Sequence, residues 1–180
     1  MSSILIDAAF PPPVIPVGVS GVLGYIGGAA FHVWTPAEWR PFHAVRQFPI
    51  WVADTGQSPS YAAGLAVAAA KALGWAPGIG RVIVCDLETQ SVPNWYAAWA
   101  GNIAKEGFVS VAYGSLSTVL GNAASDVLAA DWDGIPSIPA GQTLHGVQYR
   151  ANVSLGSATV DYDVVDAWFM ARGGVGPRRG

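Results

Sequence analysis

The chain has 180 residues, 52% hydrophobic and only 12% charged, with a formal net charge of −3. That is one domain's worth of core. The acidic balance and the lack of a basic stripe argue against nucleic acid as a partner, and no apolar run reaches the roughly 18 residues of a membrane span. A single cysteine, Cys85, rules out an internal disulfide and a cysteine-based metal cluster.

In chain order, the first expected strand is residues 3–8, where Ile4-Leu5-Ile6 ends in Asp7. A second, residues 21–26, carries Tyr25. Thr35-Pro36-Ala37-Glu38 opens a helix with an N-cap, a proline at the first position and a glutamate at the third. The third strand, 50–53, contains Trp51 and runs into Asp54; an Ala-rich helix follows over 60–73 and stops at Gly74. The fourth strand, 82–86, is a β-branched run closed by Asp86-Leu87-Glu88. Cys85 lies within it and is read as a core thiol. A helix over 93–106, stopped by Gly107, leads to a fifth strand, 109–113, ending in Tyr113. A short helix is allowed over 115–124, and a sixth strand, 127–131, ends in Asp131 before Trp132 and Asp133.

The pattern then changes. Residues 134–141 hold two prolines and two glycines without a helical period. The seventh strand, 144–149, begins near His145 and ends in Gln148-Tyr149. Residues 150–157 read as a short polar link to the eighth strand, 159–163, which carries Asp161 and Asp163. The last helix is expected over 164–171, giving one domain over 1–172 and a flexible Gly/Arg tail over 173–180.

Strands alternating with helices argue for a parallel sheet, and eight strands argue for closure. The expected fold is therefore α/β: a TIM-like (β/α) barrel with helices reduced or missing among the last three strands. The competing open doubly wound sheet lacks its phosphate loop, since Gly74 to Gly80 precedes a strand instead of following one.

Alternation along the fourth strand puts Asp86 and Glu88 on one face at its C-terminal end, where parallel α/β folds place their chemistry. Asp7, Asp54, Asp131, Asp161 and Asp163 also terminate apolar runs. Acids gathered at many strand ends suggest one acidic mouth. Paired carboxylates of unequal pKa are what glycoside hydrolysis needs. Glu88 is the expected acid, its pKa raised by crowding from Asp86, Asp7 and Asp161, with Asp86 as the ionised partner. Tyr25, Trp51, Tyr113, Trp132 and Tyr149 lie beside the acids as expected sugar platforms, whereas Trp39, Trp75, Trp95, Trp99 and Trp168 are read as helix packing. Several carboxylates in one mouth could also hold Mg²⁺ or Ca²⁺. His32, His43 and His145 form no zinc spacing. No metal or cofactor is assigned.

Asp7 on the first strand, Asp86-Leu87-Glu88 on the fourth, Tyr113-Gly114-Ser115 on the fifth, Gln148-Tyr149 on the seventh and Asp161-Tyr162-Asp163 on the eighth resemble the family 25 glycoside hydrolases. Those are lysozyme-type muramidases of bacteria and phages. Gly24-Tyr25-Ile26, Pro49-Ile50-Trp51 and the Ala-rich helix before the fourth strand are similar, still more closely, to glycoside hydrolase-like domains of unknown function in actinobacteria and their phages. The resemblance implies that Glu88 is the catalytic acid, Asp86 its partner, and Asp7 and Asp161 two further mouth acids. It implies that Gln148 belongs to the mouth. The family often has Asn where this chain has Asp163.

Two function classes follow. One is a glycosidase acting on bacterial cell-wall glycan (peptidoglycan). The other is a non-catalytic wall-binding or virion structural protein that reuses the barrel. No basic n-region of a secretory signal opens the chain. A phage protein is therefore expected, virion-associated or released at lysis, with other virion proteins as partners; otherwise the expected place is the cytoplasm.

Overall fold

The structure, a computed structural model, describes residues 2–78, 80–88, 93–121, 126–138 and 144–174. Strands form where aliphatic and β-branched residues run together: β1 (Ser3–Ala8), β2 (Val19–Gly28), β3 (Arg46–Val52), β4 (Val82–Asp86), β5 (Val109–Ser115), β6 (Val127–Ala130), β7 (Leu144–Leu155) and β8 (Ala158–Val165). Between them lie α1 (Pro36–Trp39), α2 (Pro59–Ala72), α3 (Pro93–Lys105) and α4 (Leu116–Gly121), and α5 (Ala167–Ala171) follows β8. The Thr35 capping box is formed, with the Thr35 side chain accepting from the Glu38 N–H and Glu38 reaching back to the Thr35 N–H. Ser58 caps α2, whose buried face is almost all alanine (Ala62, Ala63, Ala66, Ala70), so the helix lies close on the sheet.

The eight strands close into one barrel in sequence order. Seven run parallel. The eighth does not: β8 is antiparallel to both β7 and β1. The cause lies in residues 150–157, the expected polar link. Residues 150–155 continue β7 and fold back through Gly156 (φ +63°) as a hairpin, which reverses the chain without a crossover helix. The last helix is correspondingly shorter than expected, because Val164 and Val165 complete β8 and Asp166 caps α5. The first two tail residues belong to the fold as well, since Gly174 bridges Gln47; the rest of the expected tail, 175–180, and the end of the helix expected over 115–124 lie outside the described residues.

Alternation divides the side chains. Leu5, Leu23, Phe48, Ile50, Val82, Val84, Val111, Leu128 and Val165 fill the barrel's interior, and Phe169 from α5 closes its lower end by stacking on Phe48 at 4.6 Å. Ile6, Val22, Ile83, Cys85, Ala112 and Val147 point outward to the helices, where Trp34, Trp39, Trp75, Trp95 and Trp99 are buried. Trp168 stacks on His145, whose two ring nitrogens face Asp126 and Asp166 at 2.9 Å each, beneath the barrel.

Candidate active site

The inward face that is apolar in the lower barrel becomes polar above it. Asp7 continues the Leu5 face of β1, Asp86 the Val84 face of β4, and Tyr113 the Val111 face of β5. Gln148 on β7 pairs with Asp163 on β8, and Asp161 pairs with Asp7. Asp161 and Asp163 reach this end because β8 runs downward, which places its first half at the top. Their position is thus as expected, for a reason the strand-end pattern does not contain.

The acids form two tiers. Asp163 (0% exposed), Asp7 (4%) and Asp86 (7%) are buried. Asp161 is half-buried and Glu88 is exposed at the rim. Asp86 accepts the Glu88 N–H at 2.9 Å, which fixes the turn that carries Glu88. Asp161 accepts the Asn152 N–H at 2.6 Å and the Gln148 Nε2 at 2.9 Å. The Gln148 amide can take only one orientation here. Its Oε1 accepts the Trp132 indole N–H, a group that only donates, so its NH₂ must face Asp161.

Burial, more than mutual repulsion, sets the proton affinities. It pushes Asp7 and Asp163 well above the carboxylate range, with further help from Asp163 and Asp161 on Asp7 and from Asp161 on Asp163. It pushes Asp86 up to about 7 against the pull of the Glu88 N–H. Glu88, exposed at the rim but partly screened from water by the groups around it, is raised first by that partial desolvation, against a hydrogen bond from Tyr113, and then by the charge of Asp161. Asp161 is raised by burial and drawn back by its two N–H donors. The Asp7 charge raises the Tyr25 hydroxyl, and burial raises that of Tyr113, so both remain neutral donors among the acids. The expected crowding of Glu88 is therefore real for Asp161 but second to burial. Asp86, expected to be ionised, is largely protonated below about pH 7.

Above these groups a cavity of about 340 Å³ is lined by Glu88, Ser115, Ala130 and Trp132. Trp132 is 65% exposed at its edge. The other expected aromatics are placed differently. Tyr25 and Tyr113 point into the barrel and present hydroxyls, not ring faces. Trp51 is not at the mouth: Ile50 and Val52 take the inward face of β3, so Trp51 points outward and is buried at 4% exposure against Gly27. Tyr149 packs on the outer face of β7. Asp54 accepts from the Gly56 N–H and from Gln57 Nε2, so it shapes its own loop. Asp131 is exposed, and its backbone N–H donates to the Gln148 carbonyl. Ser115, beside Glu88, is signalled only by the Tyr-Gly-Ser triplet, and Arg150 and Asn152 sit in the segment that reads as a link. Among the described residues no group of three or more His, Cys, Asp or Glu is arranged to hold a metal ion.

No protein-family model and no curated protein matches the sequence. Solved structures do. An uncharacterized B. stearothermophilus protein superposes with a TM-score of 0.73 at 16% identity, over 95% of this chain and 99% of that one. The catalytic domain of endolysin ply40 from bacteriophage P40 of Listeria monocytogenes gives 0.68 at 16%, over 94% and 96%. GHIP, a glycosyl hydrolase 25 of Streptococcus pneumoniae, gives 0.67 at 12%, over 94% and 89%. At these identities the likeness is one of fold: the barrel has the fold of the family 25 glycoside hydrolases.

Proposed function

We propose that the protein is a glycoside hydrolase that cleaves bacterial cell-wall glycan, with Glu88 as the acid. The observation that carries the reading is Glu88 standing over buried acids in a cavity edged by Trp132. Cleavage needs a proton delivered to the leaving oxygen and a negative group facing the oxocarbenium-like centre. Glu88, raised by partial desolvation at the rim and by Asp161, supplies the proton. Asp161, with two N–H donors favouring its charged form, is the group equipped to remain ionised while Glu88 is protonated. Asp7, Asp163 and Asp86 lie below as buried acids with raised proton affinity, and Asp86 holds the Glu88 backbone through its N–H. Sugar faces stack on Trp132. The phage endolysin among the similar folds supports a lysin of phage origin.

A zymogram on purified cell walls tests the proposal. Wild type should clear the wall and Glu88→Gln should not, with the melting temperature nearly unchanged because Glu88 is exposed at the rim. Asp161→Asn should retain weak activity, with the basic limb of its pH profile moved to lower pH, because the charge that raises Glu88 is gone. An active Glu88→Gln protein would remove Glu88 as the acid. A wild type inert on every wall would leave the mouth a binding site.

A further inference from the structure

Above the barrel, the β7–β8 hairpin carries a second groove. The register between the two strands slips twice, between Gln148 and Arg150 and again between Arg150 and Val153. Asn152 lies in this bulge with φ +59°, the one described residue other than glycine with a positive φ. Bulges beside active sites re-aim side chains, and left-handed residues other than glycine cluster where a site constrains the backbone. Here the two coincide on a cavity of about 440 Å³ whose lining includes Trp132, Tyr149, Arg150 and Asn152. Trp132 also lines the cavity of Glu88, so the two spaces share this residue as a wall.

The charge of this groove is opposite to its surroundings. Arg46 and Arg81 stand at the starts of β3 and β4, Lys71 and Lys105 in the last turns of α2 and α3, Arg40 in the turn before β3, and Arg172 just after α5. All belong to the barrel's lower end. Arg150 is the one described Lys or Arg at the acidic end. Among the described residues it forms no ion pair, and its strand partner across the hairpin is Tyr162. An exposed guanidinium lining a groove, with no carboxylate paired to it, can donate to one brought by a ligand. Its planar fork matches a carboxylate with two parallel hydrogen bonds. A neutral sugar would have no use for it.

We propose that the hairpin groove is a subsite for the carboxylate-bearing peptide stem of the wall glycan, with Arg150 as its counter-ion and Trp132 as the platform for the sugar from which the stem hangs. This rests on the glycan reading of the mouth and adds to it which substituent of the glycan is recognised. The subsite is wired to the chemistry, because the bulge that forms it donates the Asn152 N–H to Asp161. A stem seated on Arg150 thus bears on the carboxylate beside the cleaved bond.

Calorimetric titration of the purified protein with two probes tests this: N-acetylmuramyl dipeptide, which carries the stem's first residues, and the neutral tri-N-acetylchitotriose. Arg150→Gln should weaken the muramyl dipeptide by about tenfold or more, as expected for a lost charge-assisted pair, and leave the chitotriose affinity within about twofold. Trp132→Ala should weaken both. Arg150 is exposed, and an unchanged melting temperature confirms the fold of each variant. Equal losses for both probes, or no loss for either, on Arg150→Gln overturn the subsite while leaving the glycan reading intact. A wild type that binds neither probe and clears no wall overturns both.

Discussion

Asp86 and Asp161 are alike in sequence, each an acid at the end of an apolar run, and the structure separates them. Asp86 is 7% exposed and accepts one N–H, so most of its cost is desolvation, which pushes its pKa up to about 7. Asparagine keeps the accepting oxygen and removes the charge. We expect Asp86→Asn to stabilise the protein by about 1–3 kcal/mol at pH 8 and to lose that gain below about pH 4, where the carboxyl is protonated in both states. Asp161 uses both oxygens, one for Asn152 and one for Gln148. Its asparagine must aim an NH₂ at one of two donors. Gln148 cannot flip to help, because its other end holds the Trp132 indole. Asp161→Asn should therefore cost about 1–3 kcal/mol at pH 7. Urea denaturation of the two variants measures both, and equal effects would show that the two acids share one environment.

At the scale of elements, the hairpin is the part with most consequence and least sequence signal. Its left-handed Asn152 gives a direct check. Glycine should be tolerated there within about 0.5 kcal/mol, whereas a β-branched valine should cost about 1–3 kcal/mol, read from thermal melts. A harmless Asn152→Val would mean that the bulge is not held. The rest of the barrel was legible to different degrees. β1 and β4 have the bounds expected from their aliphatic runs, because buried parallel strands are apolar throughout. The upper part of β7 was hidden because it leaves the core: Arg150, Asn152 and Ser154 alternate with partly buried neighbours on a two-stranded ribbon, and such a stretch looks like a loop. The direction of β8 was hidden because an apolar run followed by acids reads the same for a strand ending at the mouth and for one starting there. Trp51 was misplaced by one step of alternation, since a strand apolar on both faces carries no mark of which face is inward. Asp7, Asp86, Asp161 and Asp163 were legible as one group because charge is scarce in this chain. The bonds among them were not, because each depends on which strand lies beside which.

For the whole molecule, the buried acids invert the usual dependence of stability on pH. Asp7, Asp163 and Asp86 all have folded pKa values raised above their unfolded ones, with burial the largest cause in each. Below about pH 4 such a carboxyl is protonated in both states and costs nothing. As pH rises above that, the unfolded chain loses its proton while the folded one keeps it, and stability falls until the folded group titrates as well. For Asp86 the window runs from about 4 to about 7, and the accumulated loss is on the order of 4 kcal/mol. Asp7 and Asp163, raised by burial as well, act in the same direction. Glu38, held low by its Thr35 hydrogen bonds, acts in the opposite direction, but it is a surface cap and far weaker than three buried carboxyls together. The urea midpoint of wild type should therefore fall steadily from pH 5 to pH 8, and the fall should be smaller in Asp86→Asn. A midpoint that rises over this range would mean that the inner acids are ionised in the folded protein. In that case Asp161 is not the anion facing the sugar by default, and Asp86 returns as the ionised partner of Glu88.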